Sequence, residues 1–177
     1  RDRLIICEGI TEEILLPEFA KVLDYDFDKH GIQIISAGGK NQVVKTFYKF
    51  ASNIKIPVFV LLDSDAKENY NEILPKLQPK DKIHILSGGE FEDVLPVKLI
   101  EKTLKYATEN ISLPMDNEIK PTDGMVHYLE EFFKNRGAHE FKKAEFAALV
   151  KQNISGIEDI SPEFEKIINE LKNPVII

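Results

Sequence analysis

Acidic residues follow three short apolar segments of the chain, each at the point where a predicted strand ends. They are Glu8, then the pair Asp63 and Asp65, then the pair Glu90 and Glu92. Two unit charges about 4 Å apart repel by about 4 kcal/mol at an effective dielectric of about 20, so carboxylates gathered together must either protonate or bind a cation. Two oxygen-ligated Mg²⁺ or Mn²⁺ ions about 4 Å apart can serve the attacking and leaving oxygens of a phosphodiester displacement. These positions therefore predict the divalent metal site of a phosphoryl-transfer enzyme.

The elements that must position these carboxylates are predicted from the apolar pattern. Near-continuous runs of Ile, Val and Leu are typical of parallel strands that helices cover on both faces. The first hundred residues contain four such runs, at residues 4–7, 32–35, 58–62 and 83–86. Apolar residues at helical spacing separate them, which predicts an open parallel α/β sheet of about four strands flanked by helices. Because ligands bind at the carboxyl ends of parallel strands, the acidic residues should share one rim of the sheet.

The first predicted helix brings a further carboxylate to this rim. Glu12 lies four residues after Glu8, or about one helical turn. We expect Thr11 to be the N-cap of this helix. Proline is costly in a helix interior, so Pro17 predicts either a helix start near Leu16 or a kink.

The second part of the chain has a different pattern. From about residue 96 the strand signal disappears and apolar residues recur at helical spacing. We therefore expect a catalytic core at residues 1–100 and a helical extension at residues 101–177 that packs on this core. Asp93 is expected to be the N-cap of the helix that begins this part, rather than a metal ligand.

Composition excludes several classes of protein. The 177 residues are 43% hydrophobic, but no apolar run approaches the roughly 20 residues that span a bilayer. The single cysteine, Cys7, excludes an intramolecular disulfide and a thiolate zinc cluster, so we expect a reducing cytoplasm and oxygen-ligated metals. A net charge of -7 argues against passive nucleic-acid binding through a broad basic surface, but not against an enzyme that acts on nucleic acid. Because the chain begins at Arg1 without a methionine, we expect a fragment of a longer protein.

Two motifs of this chain resemble the Toprim domain, which is shared by topoisomerases, bacterial primases, small nucleases and the OLD family of ATP-dependent endonucleases. They are Glu8-Gly9-Ile10-Thr11-Glu12 after the first strand and Asp63-Ser64-Asp65 after the third. The form found here is most similar to the OLD family. That similarity extends to Leu16-Pro17, to Ile35-Ser36-Ala37-Gly38-Gly39-Lys40-Asn41 and to Glu90-Phe91-Glu92-Asp93. It is clear over residues 3–100 and loose in the helical remainder.

The resemblance implies a set of site residues. Its metal ligands are Glu8, Glu12, Asp63, Asp65 and Glu92, with Glu90 and Ser87 as further candidates where the family pattern is looser. OLD-like Toprim domains also place a lysine near the cleaved phosphate. In the segment Phe141-Lys142-Lys143-Ala144-Glu145-Phe146-Ala147 this lysine is Lys143, whose ammonium could stabilise charge on a pentacovalent phosphate. Catalysis is thus expected to depend on Glu8, Asp63, Asp65 and Lys143.

Three other basic residues are candidate DNA contacts. Lys142 and Arg136 belong to a segment with a local surplus of positive charge, for which a solvated helix edge is an equal alternative. Lys40 follows Gly38-Gly39 at a strand-to-helix turn, where backbone amides could approach a phosphate. A tight turn alone would also explain these glycines. The segment is not a Walker A loop, because the four-residue spacer and the Ser or Thr after the lysine are missing.

The resemblance implies a nuclease domain that holds two Mg²⁺ or Mn²⁺ ions and cleaves or nicks DNA. It further implies a longer protein with an N-terminal ATPase domain, through which ATP would act, together with homo-oligomerisation and a role in defence against phage. One alternative is a non-catalytic Toprim module that senses or recruits a partner, although the full acidic set argues against a decayed site. Another is a different magnesium-dependent phosphoryl-transfer enzyme, such as a haloacid-dehalogenase-like phosphatase. Against it, the acidic pair follows the third strand rather than the first, and Lys67 stands where that family has a threonine.

Overall fold

Four parallel strands form the sheet of this protein. The computed structural model describes residues 3–52, 55–111, 119–138 and 140–172. The strands are β1 (Arg3–Cys7), β2 (Ile32–Ser36), β3 (Val58–Leu62) and β4 (Lys82–Ile85), in the order β2-β1-β3-β4. In the central pair Leu4 lies opposite Val58 and Ile6 opposite Val60. The predicted α/β class with an open parallel sheet is confirmed.

Eight α-helices are found among the described residues. They are α1 (Ile10–Val22), α2 (Lys40–Ala51), α3 (Lys67–Ile73), α4 (Phe91–Val94), α5 (Val97–Ile111), α6 (Met125–Asn135), α7 (Lys143–Asn153) and α8 (Pro162–Lys172). Two short 3-10 helices, Leu74–Lys76 and Ile157–Asp159, lie between them. Helices α1 to α3 connect successive strands, whereas α4 to α8 follow the last strand.

Alternate residues of the central strands face two separate apolar layers. Ile5 and Phe59 point into a large core that α1 and the helices α5 to α8 complete. Ile6 and Val60 point into a smaller core beneath α2 and α3. The helices after the sheet therefore share one continuous core with it, and α7 packs directly on α1. The predicted division at residue 100 falls inside α5 and stays a prediction.

Burial differs between the inner and outer strands. Every residue of β1 and β3 is buried, as predicted for strands covered on both faces. The edge strands differ, since Gln33 of β2 is exposed and all four residues of β4 are only half-buried. The prediction of four fully buried strands is wrong for these two. An edge strand has a neighbour on one side only, so part of its surface stays open to water.

The strand order creates a crevice at the carboxyl ends of β1 and β3. These strands are neighbours, but their connections leave in opposite directions, since α1 leads to β2 on one side and α3 leads to β4 on the other. Such a switch point leaves the space between the two strand ends uncovered, and it is where open α/β sheets bind ligands. Glu8 follows β1 and Asp63 follows β3, so the first residues of the predicted site border this crevice.

The start of α1 differs from the prediction. The helix begins at Ile10 with Gly9 as its N-cap, and Pro17 lies within it, so a start near Leu16 is wrong. Thr11 is not the N-cap, because it is already inside the first turn. The backbone N–H of Gly9 is satisfied by Glu12, whose Oε2 accepts it at 3.0 Å. Only Glu8 and the N-cap Gly9 therefore separate β1 from the first turn of α1.

Candidate metal centre

Three carboxylates converge where β1 and β3 end. One oxygen each from Glu8, Asp63 and Asp65 lies within 4.8 Å of the other two. Glu8 and Asp63 are half-buried, whereas Asp65 is exposed. The backbone N–H of Asp63 also donates to Glu8 Oε2 at 2.6 Å, which ties the two strand ends together. This spacing suits oxygen ligands of a hard divalent cation.

Two further carboxylates lie deeper beside this cluster. Glu12 is 4% exposed and Glu92 is 2% exposed, and both belong to the wall of a cleft of about 350 Å³. The cleft is lined by five carboxylates, one ammonium and three glycines, namely Glu8, Glu12, Asp63, Glu90, Glu92, Lys143, Gly9, Gly38 and Gly39. Charged groups this buried are costly unless they are paired or hold a metal. The cleft therefore has the composition of a cation site.

Burial and mutual repulsion disfavour the charged forms of these groups. Burial, reinforced by the charge of Asp63, raises the pKa of Glu12 to about 8. Burial, reinforced by Glu8 and Glu90, raises the pKa of Asp63 to about 7. The pKa of Glu8 is also raised by burial, although the hydrogen bond from Asp63 opposes the shift. A divalent cation in the cleft would remove this repulsion and let the carboxylates ionise.

Lys143 supplies the positive charge of the cleft. It is the first residue of α7, and its Nζ lies 2.8 Å from Glu90 Oε1 and 4.0 Å from Glu92 Oε2. Burial works against its charge, but the hydrogen bond to Glu90 and the charge of Glu92 raise the pKa of Lys143 above its usual value. The side chain is therefore a cation at the edge of the acidic cluster at neutral pH.

The loop between β4 and α4 forms another side of the cleft. Asp93 accepts the N–H of Glu90 at 2.8 Å through Oδ2 and that of Met125 at 2.7 Å through Oδ1. Asp93 is the third residue of α4, whose N-cap is Glu90, so the expected N-cap role of Asp93 is wrong. Gly89, at φ +71°, leaves no room for a Cβ beside the Asp93 carboxylate. This close packing fixes the position from which Glu90 enters the cleft.

Ser87 is turned away from the cleft toward α8. Its hydroxyl donates to Glu163 Oε1 at 2.6 Å, and its N–H donates to Glu163 Oε2 at 2.9 Å. The same Glu163 oxygen lies 2.8 Å from His84 Nε2. Two residues further on, the carbonyl of Gly89 accepts the N–H of Ser64. Ser87 therefore connects α8 to the acidic rim, and its metal ligation stays a prediction.

Lys40 lies on the other side of the crevice, at the first position of α2. Its Nζ is 3.4 Å from Asp65 Oδ2, which brings this predicted DNA contact next to the carboxylate cluster. Gly38 and Gly39, at φ +99° and +132°, donate their N–H groups to the carbonyl of Glu8. Residues with a side chain would be strained at both positions.

Lys142 and Arg136 are not part of the cleft wall. Lys142 is exposed at the N-cap position of α7, directly before Lys143. Arg136 lies over the ring of Phe132, with its guanidinium carbon 3.7 Å from the ring centroid, and donates to the carbonyl of Phe132 at 2.9 Å. Part of the hydrogen-bonding capacity of the Arg136 guanidinium is therefore used within the fold. Their contact with DNA stays a prediction.

Three side chains of the site carry structural roles that sequence reasoning did not find. Thr11 donates its hydroxyl to Glu92, Glu13 accepts both the N–H and the hydroxyl of Ser36, and Glu163 holds Ser87. Polar residues in the first turn of a predicted helix beside a metal motif were the available signal for Thr11 and Glu13. No local pattern distinguishes Glu163 from a surface residue of α8.

The parallel sheet, with acidic residues after β1 and β3 at its switch point, defines a Toprim-type domain. Residues 1–65 match the family model described as "Overcoming lysogenization defect protein-like, TOPRIM domain". The resemblance seen in the two acidic motifs is thereby confirmed, since residues 1–65 are similar to an OLD-like Toprim domain.

Solved structures of similar fold extend the likeness over nearly the whole chain. The C-terminal region of the Burkholderia pseudomallei OLD protein aligns with a TM-score of 0.70 and 16% identity, covering 96% of each chain. The C-terminal region of the Xanthomonas campestris pv. campestris OLD protein aligns with a TM-score of 0.65 and 18% identity, covering 96% of this chain and 91% of the other. At these identities the likeness establishes the fold.

A comparison with curated protein sequences found no significant match to this chain. Among the described residues, none of the helices combines the length and the hydrophobicity of a membrane span. The family match and the carboxylate cluster together support a metal-binding, nuclease-like domain.

Proposed function

We propose that this domain is a divalent-metal-dependent nuclease that cleaves or nicks DNA. The observation that carries the proposal is the convergence of Glu8, Asp63 and Asp65 at the switch point, in a cleft that Lys143 also enters. A passive metal site would not require an ammonium among its carboxylates. Phosphodiester cleavage can use both, because negative charge increases on the phosphate as the bond breaks and an ammonium stabilises it.

The carboxylates would hold the cations in two groups. Glu8, Asp63 and Asp65 form the cluster at the crevice, and the buried Glu12 and Glu92 lie deeper beside it. We propose that these two groups of carboxylates hold two Mg²⁺ or Mn²⁺ ions. Such cations supply Lewis acidity for the attack of water on the phosphodiester and for the departure of the 3′ oxygen. Glu90 is better placed to hold Lys143 than to act alone as a ligand, since their 2.8 Å contact already uses one oxygen.

Basic groups of this chain would bind and orient the DNA phosphate. Lys143 would neutralise charge on the scissile phosphate, and Lys40 would attract a neighbouring phosphate from the opposite side of the crevice. We further propose Lys142 and Arg136 as contacts with the DNA backbone outside the cleft. The net charge of -7 means that this attraction must be local.

The longer protein we propose would join this domain to an N-terminal ATPase domain. ATP would act there, and the protein would form homo-oligomers in the cytoplasm and act in defence against phage. The similar structures are C-terminal regions of OLD proteins, which supports the presence of further domains.

The proposal is tested by incubating the domain with supercoiled plasmid in Mg²⁺, in Mn²⁺ and in EDTA. We expect relaxed circles or linear DNA with either metal and intact plasmid in EDTA. Calorimetric titration with Mn²⁺, performed on the same protein, reports metal binding independently. Metal binding without cleavage would contradict the nuclease and favour a binding module. The absence of both would contradict the metal centre itself.

Replacing Lys143 by methionine should separate chemistry from metal binding. We expect Lys143→Met to lower the rate of cleavage by about 10²–10³-fold, the usual cost of losing one group that stabilises transition-state charge. Metal affinity should be unchanged or higher, because the substitution removes a positive charge from the cleft. Both are measured on the same preparation, by plasmid cleavage and by Mn²⁺ calorimetry.

The neighbouring lysine is the matched control. Lys142→Met removes the same charge from the adjacent residue, which is exposed outside the cleft. We expect it to weaken DNA binding, seen as a higher KM, with kcat little changed. Equal losses of kcat in the two variants would mean that local charge matters and that the position of Lys143 does not.

A further inference from the structure

A buried hydrogen bond links the first turn of α1 to α4 beneath the cleft. Thr11 Oγ1 donates to Glu92 Oε2 at 2.6 Å, and both residues are only 2% exposed. The two are 81 residues apart in the chain. This short contact between a hydroxyl and a carboxylate is typical of a strong, charge-assisted hydrogen bond.

Glu92 has few other partners for its buried carboxylate. The nearest cation, Lys143, is 4.0 Å from the same Oε2 atom and hydrogen-bonds to Glu90 instead. Within the described residues, no donor contacts the second oxygen, Oε1, and Glu92 belongs to the cleft wall. One oxygen is thus held by the protein while the other is available to a ligand in the cleft.

Thr11 is well suited to fix this orientation. Its β-branched side chain has few χ1 rotamers in a helix, so the hydroxyl has little freedom to leave Glu92. The following residue, Glu12, enters the same cleft, and only the N-cap Gly9 separates Glu8 from α1. One helical turn therefore carries a candidate ligand and the hydroxyl that holds another candidate ligand.

We propose that Thr11 is a positioning residue that holds the Glu92 carboxylate with one oxygen directed at a divalent cation in the cleft. This inference rests on the metal centre of the proposed function, but not on nuclease activity. Hydrogen-bonding partners of metal ligands fix the orientation of those ligands, and their loss typically reduces metal affinity by about 10–100-fold.

The test compares two substitutions of Thr11 in this chain. Thr11→Val keeps the shape and removes the hydroxyl, whereas Thr11→Ser keeps the hydroxyl. We expect Thr11→Val to weaken Mn²⁺ binding by about 10-fold or more in calorimetry, and Thr11→Ser to stay within about 3-fold of the wild type. Melting temperatures in EDTA show whether each variant folds.

Thr103→Val is the control for the loss of a buried hydroxyl. Thr103 is fully buried in α5, and its hydroxyl donates to the carbonyl of Leu99 at 2.7 Å. We expect this variant to bind Mn²⁺ like the wild type, whatever its melting temperature.

The outcomes separate this inference from the proposed function. Equal Mn²⁺ affinity of Thr11→Val and the wild type would overturn the role of Thr11 while leaving the metal centre intact. A weaker Thr11→Ser variant, equal to Thr11→Val, would also overturn it, because the hydroxyl would then not be the important group. A wild type that binds neither Mn²⁺ nor Mg²⁺ would overturn the metal centre and the role of Thr11 with it. Loss of cleavage is not needed for any of these conclusions.

Discussion

Replacing Asp63 by asparagine is expected to reduce metal-dependent DNA cleavage by at least about 10³-fold. Asp63 shares the carboxylate cluster with Glu8 and Asp65, and its own N–H also donates to Glu8. The amide has nearly the same shape but no negative charge for a cation. A metal contributes several kcal/mol of transition-state stabilisation, and about 1.4 kcal/mol corresponds to a tenfold rate change.

The stability of the same variant should distinguish this effect from misfolding. Burial and the charges of Glu8 and Glu90 raise the pKa of Asp63 to about 7, so its ionised form destabilises the metal-free protein at higher pH. We therefore expect Asp63→Asn to melt at the same temperature as the wild type or higher, in EDTA at about pH 8.5. Loss of both cleavage and stability would instead indicate a structural role.

Asp28→Asn provides a matched control for the removal of one carboxylate. Asp28 is exposed in the turn before β2, at the opposite end of the sheet from the crevice. This variant should cleave plasmid at the wild-type rate. Wild-type cleavage by Asp63→Asn as well would contradict the proposed metal centre.

The sheet and the acidic positions could be predicted because their signals are local. Each strand is a short apolar run, and Glu8 and Asp63 stand next to the runs that became β1 and β3. The alternation of strands and helices then requires a parallel sheet, which places strand ends on one rim. Sequence alone did not give the strand order, and it is this order that makes β1 and β3 neighbours.

The parts of the site that could not be predicted depend on long-range contacts. Thr11 and Glu92 are 81 residues apart, and Ser87 and Glu163 are 76 apart. Propensity favoured Thr11 as an N-cap, but in the fold its hydroxyl satisfies a buried carboxylate, which is costly to leave without a partner. Lys143 was placed through the family resemblance, since no spacing within the chain relates α7 to Glu90. Tertiary packing decided each of these contacts.

Metal-free protein is expected to lose stability as the pH rises toward 8. Burial, with the charge of Asp63, raises the pKa of Glu12 from its usual 4.5 to about 8. The pKa of Asp63 is raised from 3.8 to about 7. At pH values between the usual and the raised pKa values of these two groups, the folded protein keeps protons that the unfolded chain releases. The free energy of unfolding therefore decreases with rising pH. The lowered pKa values of Asp159 and Glu163 act in the opposite sense, but only below about pH 5, where the unfolded carboxylates protonate.

Melting curves in EDTA between about pH 5.5 and about pH 8.5 would measure this effect. We expect the melting temperature to fall by roughly 5–10 °C, since about 1 kcal/mol corresponds to roughly 2–4 °C for a protein of this size. Excess Mg²⁺ should remove most of the decrease, because the cation replaces the protons as the partner of the carboxylates. Glu12→Gln should flatten the profile in EDTA, whereas Glu130→Gln, on the exposed face of α6, should leave it unchanged. A wild-type melting temperature in EDTA that does not change with pH would contradict this prediction, as would an equally large decrease in Glu12→Gln. Either result would mean that other groups of the fold compensate the buried carboxylates, which then do not require a cation.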